Sequence, residues 1–128
     1  TIHVLTIVAV ADVARAAAFY RAAFGWTACV EVPPYVEFAM SDGRRFGVYK
    51  REGFALNTGA APVGCPAGAT TATEIYFHCD DLDGAIERMT TAGGRALSAR
   101  AARDWGDEAA YFADPDGNVI VLARPINS

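Results

Sequence analysis

The chain has no long apolar run, little basic charge and few cysteines, and each shortage excludes something. Its longest apolar stretches are far too short to span a bilayer. The N-terminus has no charged leader followed by an apolar segment, so no signal peptide is expected there. The net charge is −4 at pH 7 and the sequence pI is about 5.0. A nucleic-acid surface needs a basic footprint to displace counterions, and Arg44-Arg45 is only a pair. Three cysteines, Cys29, Cys65 and Cys79, are an odd number without close spacing. That argues against a disulfide framework and a zinc knuckle. A reducing cytoplasm is the expected compartment.

What is present is globular. The 128 residues are 52% hydrophobic and 20% charged, enough to bury a core in one domain of ordinary size. Two segments carry apolar residues at helical spacing. One is Val13, Ala16, Ala17 and Tyr20; the other is Leu82, Ala85, Ile86 and Met89. Each follows an aspartate, Asp12 or Asp81, whose carboxylate can accept the free amide hydrogens of a first helical turn. Each ends at glycine, Gly25 or Gly93-Gly94, as a left-handed cap requires.

The same interval separates Asp12 from Asp81, Val13 from Leu82 and Tyr20 from Met89. Strand candidates flank both helices: 2–10, 26–32, 35–40 and 45–51 in the first half, and 74–79, 95–102, 107–113 and 118–124 in the second. The last hairpin of each half carries an Asp-Gly turn, Asp42-Gly43 or Asp116-Gly117. The pattern is an internal duplication of a strand, a helix and three strands. Residues 53–73, rich in Gly, Ala, Pro and Thr, read as a linker and a lid over a pocket. The expected fold is therefore α+β: a single domain of paired βαβββ modules, about 1–52 and 74–128, forming a curved mixed sheet around a cavity.

At this point the residues resemble a known superfamily. Val10-Ala11-Asp12-Val13 with Phe19-Tyr20 and Phe24-Gly25-Trp26 is similar to the first module of vicinal oxygen chelate proteins. These include glyoxalase I, bleomycin-resistance proteins and extradiol dioxygenases. Asp114-Pro115-Asp116-Gly117-Asn118 followed by Val119-Ile120-Val121-Leu122 resembles the family's closing hairpin, and the stretch from Asp104-Trp105-Gly106 to Tyr111-Phe112 resembles its small members. The resemblance implies paired βαβββ modules and a homodimer. In metal-using members it implies one His, Gln or Glu ligand on each of four strands, holding a divalent ion that polarises two neighbouring substrate oxygens.

Carried over by strand alternation, those four positions fall on Leu5, Gly47, Glu74 and Val121. Only Glu74 offers a donor. A slip of one residue does not rescue the set, since Thr6, Val48 and Ile120 would face the helices. His3, which shares the parity of Leu5, leaves the ligands too few. The expectation is no metal and no cofactor.

The same alternation lines a small-molecule pocket with Leu5, Ile7, Gly47, Tyr49, Glu74, Tyr76, His78 and Val121, with Val119 in its apolar floor. Trp105 either stacks on a planar ligand at the mouth or packs at a sheet edge. Glu74, facing an apolar cavity, is a candidate general base, and His78 a candidate acid–base partner. Two functions follow. One is a metal-free protein binding an antibiotic- or metabolite-like molecule. The other is a metal-independent lyase, isomerase or hydrolase using Glu74 as base. A metal-dependent glyoxalase- or dioxygenase-like enzyme is a distant third.

Overall fold

The computed structural model describes residues 1–126. The chain divides into two compact units. The first holds Thr1–Arg21 and Gly25–Gly64; the second holds Ala22–Phe24 and the chain from Cys65 onward.

The first unit runs β1 (Leu5–Val10), α1 (Val13–Phe24, its last three residues grouped with the second unit), β2 (Thr27–Val32), β3 (Tyr35–Ala39), β4 (Arg45–Lys50) and α2 (Arg51–Thr58). Asp12 caps α1 as expected: its carboxylate accepts the Arg15 amide hydrogen at 3.0 Å. Gly25 ends the helix with φ of 68°, a conformation in which a Cβ would be strained. The apolar stripe Val13, Ala16, Ala17, Tyr20 and Ala23 is buried. The four strands lie in the order β1-β4-β3-β2, with β1 parallel to β4 and the other pairs antiparallel. Val36, Phe38, Phe46 and Val48 turn one face of this sheet to α1 and are buried. There Tyr20 meets Phe46 at 4.7 Å between ring centroids and stacks on Trp26 at 5.9 Å.

The second unit repeats the plan with β5 (Glu74–His78), α3 (Leu82–Thr91), β6 (Arg95–Ala102), β7 (Asp107–Ala113) and β8 (Val119–Pro125). Its order is β5-β8-β7-β6, again with one parallel pair, β5 and β8. Asp81 caps α3 by accepting the Gly84 amide at 3.0 Å. At the other end the Gly94 amide reaches the Met89 carbonyl and the Gly93 amide the Thr90 carbonyl, the paired bonds of a left-handed glycine cap. Leu82, Ala85 and Met89 are buried on the side of Ile120 and Leu122. The β7–β8 turn is tied by Asp114, whose carboxylate accepts the amides of Asp116 and Asn118 and the Asn118 side chain.

The α+β class and both βαβββ modules are as expected from the sequence. Two points differ. The strands form two separate four-stranded sheets rather than one continuous curved sheet. The stretch 53–73 is not wholly irregular, because α2 occupies its beginning. That helix carries no apolar stripe, since it buries no residue, and it has no side-chain cap. Glu52 in its first turn suits the helix dipole. Gly53 gives room for the Tyr49 ring, whose nearest atom would lie 2.3 Å from a Cβ at 53.

Candidate functional site

In the second unit, alternation along β5 sends Ile75 and Phe77 to the helix side and Glu74, Tyr76 and His78 to the opposite face. Register places Tyr76 beside Val121 and Val121 beside Tyr111. Asp107, at the start of β7, shares that face and is buried. Its Oδ2 accepts the Tyr76 hydroxyl at 2.5 Å and lies 3.0 Å from His78 Nε2. Trp105, in the β6–β7 turn, donates its indole N–H to the Tyr76 oxygen at 2.8 Å. The Tyr76 and His78 rings meet edge to face at 5.9 Å. Beside them the Arg103 guanidinium lies 5.0 Å above the Tyr111 ring. It is held by the Ser98 hydroxyl and the Ala99 and Ala109 carbonyls.

The electrostatics follow from these contacts. The Tyr76 hydrogen bond, then the His78 contact, hold the Asp107 carboxyl below its ordinary value. Desolvation, then the bond to Asp107, push the Tyr76 phenol up, against an opposing pull from Trp105. The indole of Trp105 is nonetheless open to solvent, with 55% of the residue exposed, and Tyr76 is 39% exposed. The arrangement is an aromatic surface fastened around one ionised carboxylate.

The corresponding face of the first unit carries Leu5, Ile7, Gly47 and Tyr49, and a second polar cluster. Glu37, only 5% exposed, accepts the Tyr35 hydroxyl at 2.6 Å and pairs with Arg45 Nη1 at 3.0 Å. The Cys29 thiol reaches its backbone carbonyl at 3.5 Å and its carboxylate at 3.7 Å. Burial, reinforced by the bond to Glu37, pushes the Tyr35 phenol well above the usual range.

The four positions that hold a metal in metal-using relatives do not fit one. In the first unit Leu5 has no lone pair, and Gly47 lies under the Tyr35 ring. A Cβ at 47 would be 2.3 Å from the Tyr35 oxygen, so that position is filled by a phenol. In the second unit Val121 is buried and apolar, leaving Glu74, which is exposed. Among the described residues no group of three or more His, Cys, Asp and Glu could hold a metal ion.

Of the residues singled out from sequence, the structure brings Tyr76, His78 and Trp105 into one hydrogen-bonded group. Glu74 lies on the same strand face but outside that group and in solvent, without the apolar surroundings expected for a base. Leu5, Ile7, Gly47 and Tyr49 lie together on the first unit's face, and Val121 lies in the floor beneath Tyr76. Sequence reasoning missed Asp107, Arg103 and Tyr111, and also Tyr35, Glu37 and Arg45. One signal was available: Asp107 and Tyr111 share a parity on β7, and Tyr35 and Glu37 share one on β3.

Comparison with known proteins fixes the family. The sequence matches the Glyoxalase/Bleomycin resistance protein/Dioxygenase superfamily over residues 1–122. The chain belongs to this superfamily. Among curated members it is similar to the anthracycline biosynthesis protein DnrV of Streptomyces peucetius. The two are 32% identical over 119 residues, covering 88% of this chain and 43% of DnrV. The chain thus spans less than half the length of that relative. Among solved superfamily structures it resembles a glyoxalase-related enzyme from Fulvimarina pelagi, with a TM-score of 0.82 and 22% identity over 98% of this chain and 91% of that one. A glyoxalase/bleomycin resistance protein/dioxygenase from Nocardioides gives a TM-score of 0.81 and 20% identity over 100% and 85% of the respective chains. These likenesses establish the fold and leave the chemistry to the site.

Proposed function

We propose that the chain binds a planar aromatic small molecule, antibiotic- or metabolite-like, without a metal. The carrying observation is the group of Trp105, Tyr76 and His78 fastened around Asp107, on a fold whose metal positions offer one carboxylate, Glu74, and no second donor. Aromatic rings that are held in place and open to solvent offer stacking area at little further entropic cost. The name of DnrV, which places that protein in anthracycline biosynthesis, supports a polycyclic aromatic ligand here. Titration with a hydroxyanthraquinone should quench tryptophan emission with saturation, and Trp105→Ala should weaken binding about tenfold or more. Chelator should leave the affinity unchanged. Affinity that vanishes with chelator, or protein purified with a stoichiometric divalent metal, would sink the proposal.

A second reading has one observation in its favour, the contact of His78 with Asp107. A carboxylate-supported imidazole is suited to proton transfer, and a metal-independent lyase, isomerase or hydrolase would use it alongside Glu74. Turnover that collapses in Glu74→Gln while ligand binding survives is the expected result for an enzyme. Unchanged turnover in that variant would remove Glu74 from the mechanism. As a setting for either reading we propose a cytoplasmic homodimer. The free state of all three cysteines suits a reducing compartment, and the dimer rests on family resemblance. Light scattering that returns one chain mass would refute the dimer. Among the described residues no helix is long and apolar enough to cross a membrane.

A further inference from the structure

The hydrogen-bonding capacity left around Asp107 decides what kind of group the site can still receive. An ionised carboxylate only accepts, so the contact between Asp107 Oδ2 and His78 Nε2 requires the proton on Nε2. Neutral His78 therefore carries its lone pair on Nδ1, the other ring nitrogen, and no hydrogen bond engages Nδ1 among the described residues. The Tyr76 hydroxyl donates its one hydrogen bond to Asp107 and accepts one from Trp105. The Trp105 N–H is spent in the same bond. The Arg103 Nη2 donors are turned to Ser98, Ala99 and Ala109 and its Nε is buried, while its guanidinium, Nη1 included, belongs to the stack on Tyr111 and not to the Asp107 group. The donors of Tyr76 and Trp105 are thus committed, and the open valence of His78 is an acceptor on a ring whose side chain is 56% exposed.

We infer that His78, oriented by Asp107, selects ligands that present a hydroxyl donor at the edge of their ring system, a phenol above all. Trp105 and Tyr76 supply the aromatic surface and discriminate little among planar molecules. His78 Nδ1 supplies the discrimination, because a ligand edge that offers only acceptors faces a lone pair and loses its water without replacement. Asp107 is a positioning residue: it fixes the tautomer and touches no ligand. This inference rests on the small-molecule binding reading.

The test uses anthraflavic acid, a planar dihydroxyanthraquinone, and its dimethyl ether, which keeps the rings and acceptors but lacks the donors. At neutral pH the wild-type chain should bind the phenol about fivefold or more tighter than the ether, the worth of one neutral hydrogen bond. His78→Phe, which keeps a ring at an exposed position, should bring the two affinities together. Asp107→Asn should narrow the gap, with circular dichroism confirming the fold. Nitrogen NMR of the imidazoles gives a readout that a purely structural Asp107 would not move. Neutral His78 should be protonated on Nε2, and Asp107→Asn should relax it toward a mixture of tautomers; His3→Gln assigns the signals. Equal affinities in the wild type would overturn the inference, as would a preference that survives His78→Phe or a proton found on Nδ1. Binding of neither probe would overturn the binding reading itself, and the inference with it.

Discussion

Gly47 shows how a single missing side chain shapes this family member. The strand register puts it between Ile7 and Glu37, where an alanine would meet the Tyr35 hydroxyl oxygen and two ring carbons within 2.8 Å. The glycine therefore seats the phenol that satisfies buried Glu37. Gly47→Ala should drive the ring off its seat and leave Glu37 with fewer partners, at a cost of about 1–3 kcal/mol in urea unfolding. In a Tyr35→Ala background the same substitution should cost almost nothing, because the clash is gone and only the coupling was at stake. An additive pair would mean that Gly47 is kept for another reason. Tyrosinate absorbance gives a second check. Tyr35 has a raised folded value, so the stability it contributes is full below the ordinary phenol value of about 10 and is lost as pH rises through the folded value. The late-titrating tyrosine should move to lower pH in Gly47→Ala.

The helices are the elements that local sequence determines best. Asp12 and Asp81 each accept an amide of their own first turn. Asp12→Ala and Asp81→Ala should each cost about 1 kcal/mol in denaturant unfolding, against a few tenths for glycine at the same positions. A negligible loss at either position would mean that tertiary packing alone sets that helix start. At Asp81 the neighbouring Gly84 offers an independent probe, since a Cβ there would lie 2.3 Å from the Asp81 carboxylate. Both caps and both apolar stripes were legible because a helix writes its period and its ends into a dozen consecutive residues. Helix α2 was not legible for the converse reason: Arg51–Thr58 buries nothing, so no stripe marks it, and Gly53 stands where a helix former would be expected. Strand alternation was equally readable in Tyr76, Phe77 and His78. The partition into two sheets was not, because strand partners lie far apart in sequence and alternation does not name them.

At the scale of the whole molecule, the sequence indicated which faces carry chemistry but not which residues meet on them. Tyr76, His78 and Trp105 were visible as candidates, yet their common partner Asp107 lies about thirty residues from the strand they serve and was read only as the start of β7. An unaided sequence gives parity on a strand; the contact needs the register of β5, β8 and β7 together. That contact has a consequence for acid stability. Three carboxyls of the second unit are held low by their partners: Asp107 by Tyr76 and His78, Asp83 by Arg100, and Glu108 by Arg100 and then Arg124. Asp83 is exposed and well screened, so it adds little. A group with a depressed folded value contributes stability above its unfolded value, about 3.9 for aspartate, and loses it as pH falls through the folded value. Acid should therefore act first on the second unit. Trp105 reports that unit and Trp26, stacked on Tyr20, reports the first. In a Trp26→Phe chain the Trp105 emission should change as the pH falls below about 4, ahead of the Trp26 emission in a Trp105→Phe chain. Adding Asp107→Asn to the first of these should flatten its acid response, since a neutral amide has no proton to gain. If both tryptophans respond together and Asp107→Asn alters neither, the carboxylate is not what makes the second unit acid-sensitive, and its bonds to Tyr76 and His78 serve orientation alone.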